Sequence, residues 1–377
     1  MIITNLKLTN WKNIRSSDNT LGQRVFLIGP NASGKSNYLD SFRFLKNLAD
    51  KGLAKSVADR GGISSLRCLS AKQYSNIDIE VELSDDNGNI VWSYRLVLNQ
   101  DSASRPVIRE EKVIKSGEVV LSRPDSRDDE DPIRLTYTAL EQIAENKEFR
   151  EIADFFVTIS YQHLLPQVVR DPRGFSPYPV KDDPFGRDFL FRMWKTQDRI
   201  REGRLKKISE ALKVAVPQLS ELRVVMDNQE GVPHLLGSYT HWRAHDARQY
   251  ENQFSDGTLR LLGLLWTLFE GHGPLLLEEP ELSLHAEVVK YLPQIFERIN
   301  RSRKTKRQII ISTHSEDILG DPGIAPEEVL RLEPTDQGTL VKTTDTGDTE
   351  KMRKGLTAAD VLLPKSAPKN LSQLAGR

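Results

Sequence analysis

Residues Gly29-Pro30-Asn31-Ala32-Ser33-Gly34-Lys35-Ser36 set a glycine, a Gly-Lys pair and a hydroxyl at the offsets that a phosphate-binding loop requires. Glycines let successive backbone N–H groups converge on phosphate oxygens, and the helix that follows turns the positive end of its dipole toward the same anion. In this reading Lys35 reaches the β- and γ-phosphates and the Ser36 hydroxyl ligates Mg²⁺, with Asn31, Gly34 and Asn37 as further nucleotide-binding candidates. The chemistry is that of a nucleoside triphosphate.

Three more segments follow in order. Ser255-Asp256-Gly257-Thr258 opens an apolar helix, so Ser255 and Gly257 form either a plain N-cap or a second phosphate site. Leu275-Leu276-Leu277-Glu278-Glu279 is a buried-type strand ending in two acids. Glu278 is the candidate Mg²⁺ ligand, through water, and Glu279 the general base that polarises the attacking water. Ile309-Ile310-Ile311-Ser312-Thr313-His314 is another such strand, with His314 placed to meet the γ-phosphate or that water.

Positioning these groups requires strands that end together. Val25-Phe26-Leu27-Ile28 reads as the strand into the loop and Tyr38 to Phe42 as the helix out of it. Ile77–Leu83, Ile90–Leu98 and Val107–Leu121 alternate like an antiparallel meander, with Asn87-Gly88 as a hairpin turn. Residues 122–131 read as an exposed acidic loop, 135–154 and 185–215 as helical, and the Pro-rich stretch 171–179 as a connector. Phe155 to Tyr161 reads as a strand, Glu328–Leu332 with Thr339–Lys342 as a closing hairpin, and the residues from Thr349 onward as a tether or docking tail.

Together the four segments resemble the ATP-binding cassette ATPases, specifically the branch of SMC, RecF and OLD-type proteins. "GPNASGKSN" resembles its Walker A, "FSDGTLR" its signature motif, "LLLEEPELSLH" its Walker B and D-loop, and "IISTHS" its His switch. The resemblance covers roughly residues 1–100 and 250–335. It implies an α/β fold: an ABC-type P-loop head, with a mixed sheet and an antiparallel β-subdomain, plus a helical insertion subdomain.

It also implies ATP and Mg²⁺, and a homodimer that sandwiches two nucleotides. Ser255 and Gly257 would then serve the partner's nucleotide, with Ser283 at the interface. Glu278 stands where many relatives carry Asp. Lys12 and Asn13, in the first β-turn, are nucleotide-contact candidates by the same resemblance. Either Gln162 or Gln167 is the Q-loop residue sensing Mg²⁺ and water, and Gln167 is preferred.

The expected organisation is an N-terminal ATPase lobe over 1–130, a helical insertion over 131–250, a C-terminal lobe over 251–345 and a tail over 346–377. No heptad pattern is sustained in the insertion, so coiled-coil arms are not expected, and about 60 residues after His314 leave no room for a fused nuclease domain.

With 53 basic and 53 acidic residues the chain has no global pull on nucleic acid. Two local basic clusters, Arg187–Lys207 and Arg298–Arg307, read either as phosphate-backbone contacts or as solvated faces. Cys68 is the single cysteine, so no intramolecular disulfide forms, and no apolar run approaches the roughly 20 residues that span a bilayer. A cytoplasmic location is expected.

The function these features predict is an ATP-hydrolysing dimeric switch acting on DNA with a separately encoded nuclease or other effector, in DNA repair or anti-phage defence. The alternative is a regulatory ATPase that gates a toxin without touching DNA.

Overall fold

The computed structural model describes residues 1–71, 75–171, 183–240 and 247–366 of the 377-residue chain. The chain forms two units. One comprises residues 1–160, 272–276 and those from 305 onward, the other 161–271 and 277–304.

The first unit is built on a mixed sheet. Its strands are β1 (Ile2–Trp11), β2 (Ile14–Thr20), β3 (Arg24–Ile28), β4 (Ile77–Ser84), β5 (Ile90–Gln100), β6 (Pro106–Lys115) and β7 (Glu118–Arg123). Later in the chain β13 (Ile309–Ser312), β14 (Val329–Thr335) and β15 (Gly338–Thr343) join them. The order is β7-β6-β5-β4-β1-β2-β15-β14-β3-β13, with β13 and β14 parallel to β3 and β4 to β7 forming the expected antiparallel meander.

Strands β3 and β13 carry unbroken apolar runs because both sheet faces are covered, and Val25 to Ile28 and Ile309 to Ile311 are all buried. The Lys35–Lys51 helix leaves the end of β3 and buries Tyr38, Phe42, Leu45 and Leu48 along one stripe. Next to β13, the Leu275 amide donates to Gln308 O at 2.8 Å. That starts β12 (Leu275–Glu278), the strand that carries the paired acids into the second unit.

Several expectations are corrected. Residues 122–131 are ordered: β7 runs to Arg123, and a short helix Ser126–Glu130 is capped by Asp125. Asp128 is the cause, because its buried carboxylate takes Arg123 at 2.8 Å and Arg134 at 3.3 Å. Phe155 to Val157 end the helix Arg150–Val157 and are not strand; Ile152, Ala153, Phe155 and Phe156 share its buried face, and only Ser160–Gln162 (β8) is extended. Of 135–154, only the stretch from Arg150 is α-helical. The tail is folded through Ser366, with the Thr346–Arg353 and Ala358–Val361 helices burying Met352, Ala358 and Val361. Its last residues, 367–377, and the connector from Pro172 lie outside the described residues.

The second unit is not wholly helical. Around the helices Phe189–Lys195, Asp198–Ala215, Asp256–Phe269 and Leu292–Arg301 it contains a three-stranded antiparallel sheet, β11-β10-β9. These strands are β9 (Leu219–Asp227), β10 (Val232–Tyr239) and β11 (Ala247–Tyr250), all in the stretch expected to be helical insertion. Among the described residues the helix Asp198–Ala215, at 18 residues, is the longest, and none of their helices is long and apolar enough to cross a membrane.

Candidate functional site

The loop after β3 has the backbone of an anion nest. Ala32 and Gly34 are left-handed, at φ 62° and 99°, with Gly34 at the N-cap of the Lys35–Lys51 helix. That helix start carries no side-chain cap and no acid in its first turn, so its N–H groups and dipole are left for an anionic ligand. The Lys35 ammonium donates to Gly29 O at 2.9 Å and Pro30 O at 3.2 Å, and lies 3.3 Å from His314 Nδ1. His314 reaches it because β13 pairs beside β3, with Ser312 opposite Leu27. Asn31 and Ser36 are exposed at the loop surface.

Asn13 supports the loop from behind. Its Nδ2 donates to Ser33 O at 3.0 Å and Thr339 Oγ1 at 2.9 Å, and its Oδ1 accepts from Asn37 Nδ2 at 2.7 Å. Gly34 is obligatory against it, since a Cβ there would lie 2.4 Å from the Asn13 carboxamide. Trp11 Nε1 donates to Asn37 O at 2.8 Å, fixing the first helical turn. Lys12 faces elsewhere: its ammonium is 2.7 Å from Asp40. Burial alone would raise Asp40, but Arg60 and Lys12 hold its carboxyl below the usual carboxylate range.

In the second unit the end of β12 presents the acids. The Tyr161 hydroxyl donates to Glu278 Oε2, and His163 Nδ1 is 3.1 Å from Glu278 O. Glu279 has φ 44°, a left-handed conformation held against strain of about 1–3 kcal/mol, at the residue assigned as general base. Ser255 caps the Asp256–Phe269 helix, its Oγ accepting from Thr258 N at 3.1 Å, and it is exposed. Gly257 lies against the turn after Glu279: a Cβ there would be 2.8 Å from Ser283 O.

Gln167 Nε2 donates to Asp256 Oδ2 at 3.1 Å, and Arg170 pairs with the same carboxylate at 2.5 Å. This glutamine is thus tied to the helix start that Ser255 caps. Gln162 instead lines a cavity of about 30 Å³ with Glu278, His163 and Arg260, and its Oε1 is buried without a partner.

Residues 24–320 match the family described as "AAA domain, putative AbiEii toxin, Type IV TA system". The chain belongs to this AAA-domain family. No curated protein matches it. Among solved structures it is similar to an SMC head bound to the C-winged helix domain of ScpA, at 14% identity and a TM-score of 0.53 over 93% of this chain and 100% of that one. It is also similar to an SMC head with an extended coiled coil bound to the C-terminal domain of ScpA, derived from Pyrococcus furiosus. There the identity is 13% and the TM-score 0.51, over 94% of this chain and 98% of that one. The fold of this AAA-domain protein is therefore that of an SMC head.

The residues of this AAA domain fit a nucleotide and Mg²⁺. The loop supplies oriented N–H groups and a buried ammonium that suit phosphates, and Ser36 in the first unit and Glu278 in the second each carry an oxygen of the kind that Mg²⁺ prefers. Asn13, Asn37, Lys35 and His314 are brought together in the first unit, and Gln167, Ser255, Gly257, Glu278 and Glu279 are carried by the second. Sequence reasoning missed Tyr161, His163 and Thr339. Their only signal was position, Tyr161 and His163 flanking Gln162, the less favoured of the two Q-loop candidates, and Thr339 near the start of β15.

Proposed function

We propose that this chain is an ATP-hydrolysing switch that closes as a homodimer around two nucleotides and acts on DNA with a separately encoded effector. The observation that carries the reading is the Lys35–His314 approach of 3.3 Å at a phosphate loop left open at its helix start. An ammonium and an imidazole at the same loop suit a γ-phosphate and the water that attacks it.

Each residue has a task. The loop N–H groups and Lys35 hold the phosphates, while Ser36 and Glu278 hold Mg²⁺, which offsets phosphate charge when bound. Glu279 orients and deprotonates the attacking water, and His314 hydrogen-bonds the γ-phosphate. Gln162 supplies the metal-side amide. Ser255 is exposed at a capped helix start, which suits a phosphate brought by a second copy, so that ATP would join the two chains and hydrolysis part them. The similar SMC heads are bound to domains of a partner, ScpA, and an effector docked on this chain is the corresponding expectation.

The family description favours a second reading, in which the dimer gates a toxin and DNA plays no part. Steady-state ATPase turnover measured with and without duplex DNA at low salt separates the two. Stimulation supports the first; turnover indifferent to DNA, together with stimulation by a co-expressed toxin protein, supports the second.

A further inference from the structure

Four members of the two basic clusters, which are separated in sequence by about 90 residues, lie together in the second unit. Arg201 is buried and bonds the carbonyls of Trp194 and Thr196 and the Asp198 carboxylate. Arg192 is taken by Glu270 at 2.7 Å, and Arg301 by Glu297 at 2.6 Å. Among the others, Arg204, Lys207, Arg298 and Arg303 come together.

These four gather at the C-terminal end of the Asp256–Phe269 helix. The Arg204 guanidinium lies 5.3 Å from the Trp266 ring centre, and the Lys207 ammonium 5.6 Å from that of Phe269. Arg303 donates to Leu268 O at 2.7 Å and to Gly271 O, while its Nε is buried without a partner. Lys207 and Arg298 flank one groove whose floor is mainly apolar, with Phe269 and Leu265 among its lining. The acids nearby are few: Glu270 is held by Arg192, Glu287 across the groove by Lys290 at 2.6 Å, and Glu210 stands one turn beyond Lys207.

Such packing is costly when the nearby carboxylate, Glu270, is shared with Arg192. Burial foremost lowers the pKa of Arg204 against the opposing charge of Glu270, and burial followed by the charge of Arg204 lowers that of Arg303, so the two guanidiniums repel one another. A phosphate oxyanion between them removes that repulsion and accepts their forked N–H groups. Lys207 and Arg298 extend the charge beyond what one phosphate can meet, which calls for a polymeric anion.

We infer that Arg204, Lys207, Arg298 and Arg303 form a docking face for the phosphate backbone of duplex nucleic acid. This rests on the DNA-acting reading above and names its contact surface. The face lies at the far end of the helix whose start carries Ser255 and Gly257, so a contact made here bears on the element that senses nucleotide.

The test uses the full chain and a fluorescent duplex of about 30 base pairs, with anisotropy followed across a salt series. Wild type should bind, and the double variant Arg204→Gln/Lys207→Glu should weaken binding by on the order of tenfold or more and reduce the magnitude of the log–log salt slope by about two. Lys147→Glu, an exposed cation of the first unit, controls for net charge and should bind nearly as wild type. Absence of duplex binding, equal weakening by Lys147→Glu, or an unchanged slope in the double variant would each overturn the assignment. So would displacement of the duplex by poly-glutamate or inorganic phosphate at comparable charge concentration, which would mark an acidic-protein or small-anion site. ATP-driven dimerisation, measured separately in the Glu279→Gln variant, judges the switch itself whatever the DNA result.

Discussion

The carboxamide of Asn13 stands where a side chain on Gly34 would have to go, 2.4 Å from the position of its Cβ. One residue therefore fixes the loop through Ser33 O and Asn37 and also forbids any larger residue at its key turn.

Gly34→Ala should meet both this clash and a left-handed φ of 99°. The cost of about 1–3 kcal/mol corresponds to a loss of nucleotide affinity of roughly five- to 150-fold. Asn13→Ala, which removes bracing and adds no bulk, should weaken affinity by about tenfold or less. Titration with a fluorescent ATP analogue checks both, and an Asn13→Ala variant worse than Gly34→Ala would refute the bracing role.

Acid should loosen the first unit through Asp128. Burial pushes its pKa up, but hydrogen bonds from Arg123 and the Asp125 amide, with the charge of Arg123, outweigh this and hold it at about 2. A carboxylate whose folded pKa lies below its unfolded one stabilises the fold above the unfolded value, and that stability is lost as pH falls from about 4 to about 2. Thermal unfolding of wild type and Asp128→Asn should thus differ clearly near neutral pH, and the gap should shrink toward about pH 2. A gap independent of pH would assign the effect to packing alone.

Legibility in the sequence followed the range of the forces involved. The loop at Gly34, the apolar strand β13 and the Asn87-Gly88 hairpin are local patterns, and the structure has them. Strand β10 was not legible because its inward positions are Pro233, Leu235 and Gly237, so the apolar alternation that marks a strand is missing. Gly237 is accepted there because Phe254 fills the space beside it, a contact no local window contains. Phe155 and Phe156 misled for the opposite reason, since their β-branched and aromatic neighbours read as strand while burial follows helical spacing. In the candidate site, residue types were legible and partners were not: nothing in the sequence tells that Lys12 faces Asp40 or that Gln167 binds Asp256.

The two glutamines should now behave differently. Gln162 shares a cavity with Glu278, so Gln162→Ala should lower turnover by on the order of 10²-fold while nucleotide still binds. Gln167 braces the signature turn through Asp256, so Gln167→Ala should act mainly on the protein-concentration dependence of turnover. ATPase rates at several protein concentrations distinguish them, and the reverse pattern would restore Gln167 to the metal side.

The switch as a whole stands or falls on whether ATP joins two copies of the chain. Glu279→Gln removes the general base while keeping the shape of the turn, so nucleotide should be held unhydrolysed. Sedimentation velocity of this variant with ATP and Mg²⁺ should show a dimer that disappears when ADP replaces ATP. A monomer under both conditions, with ATP shown to be bound, would contradict the account.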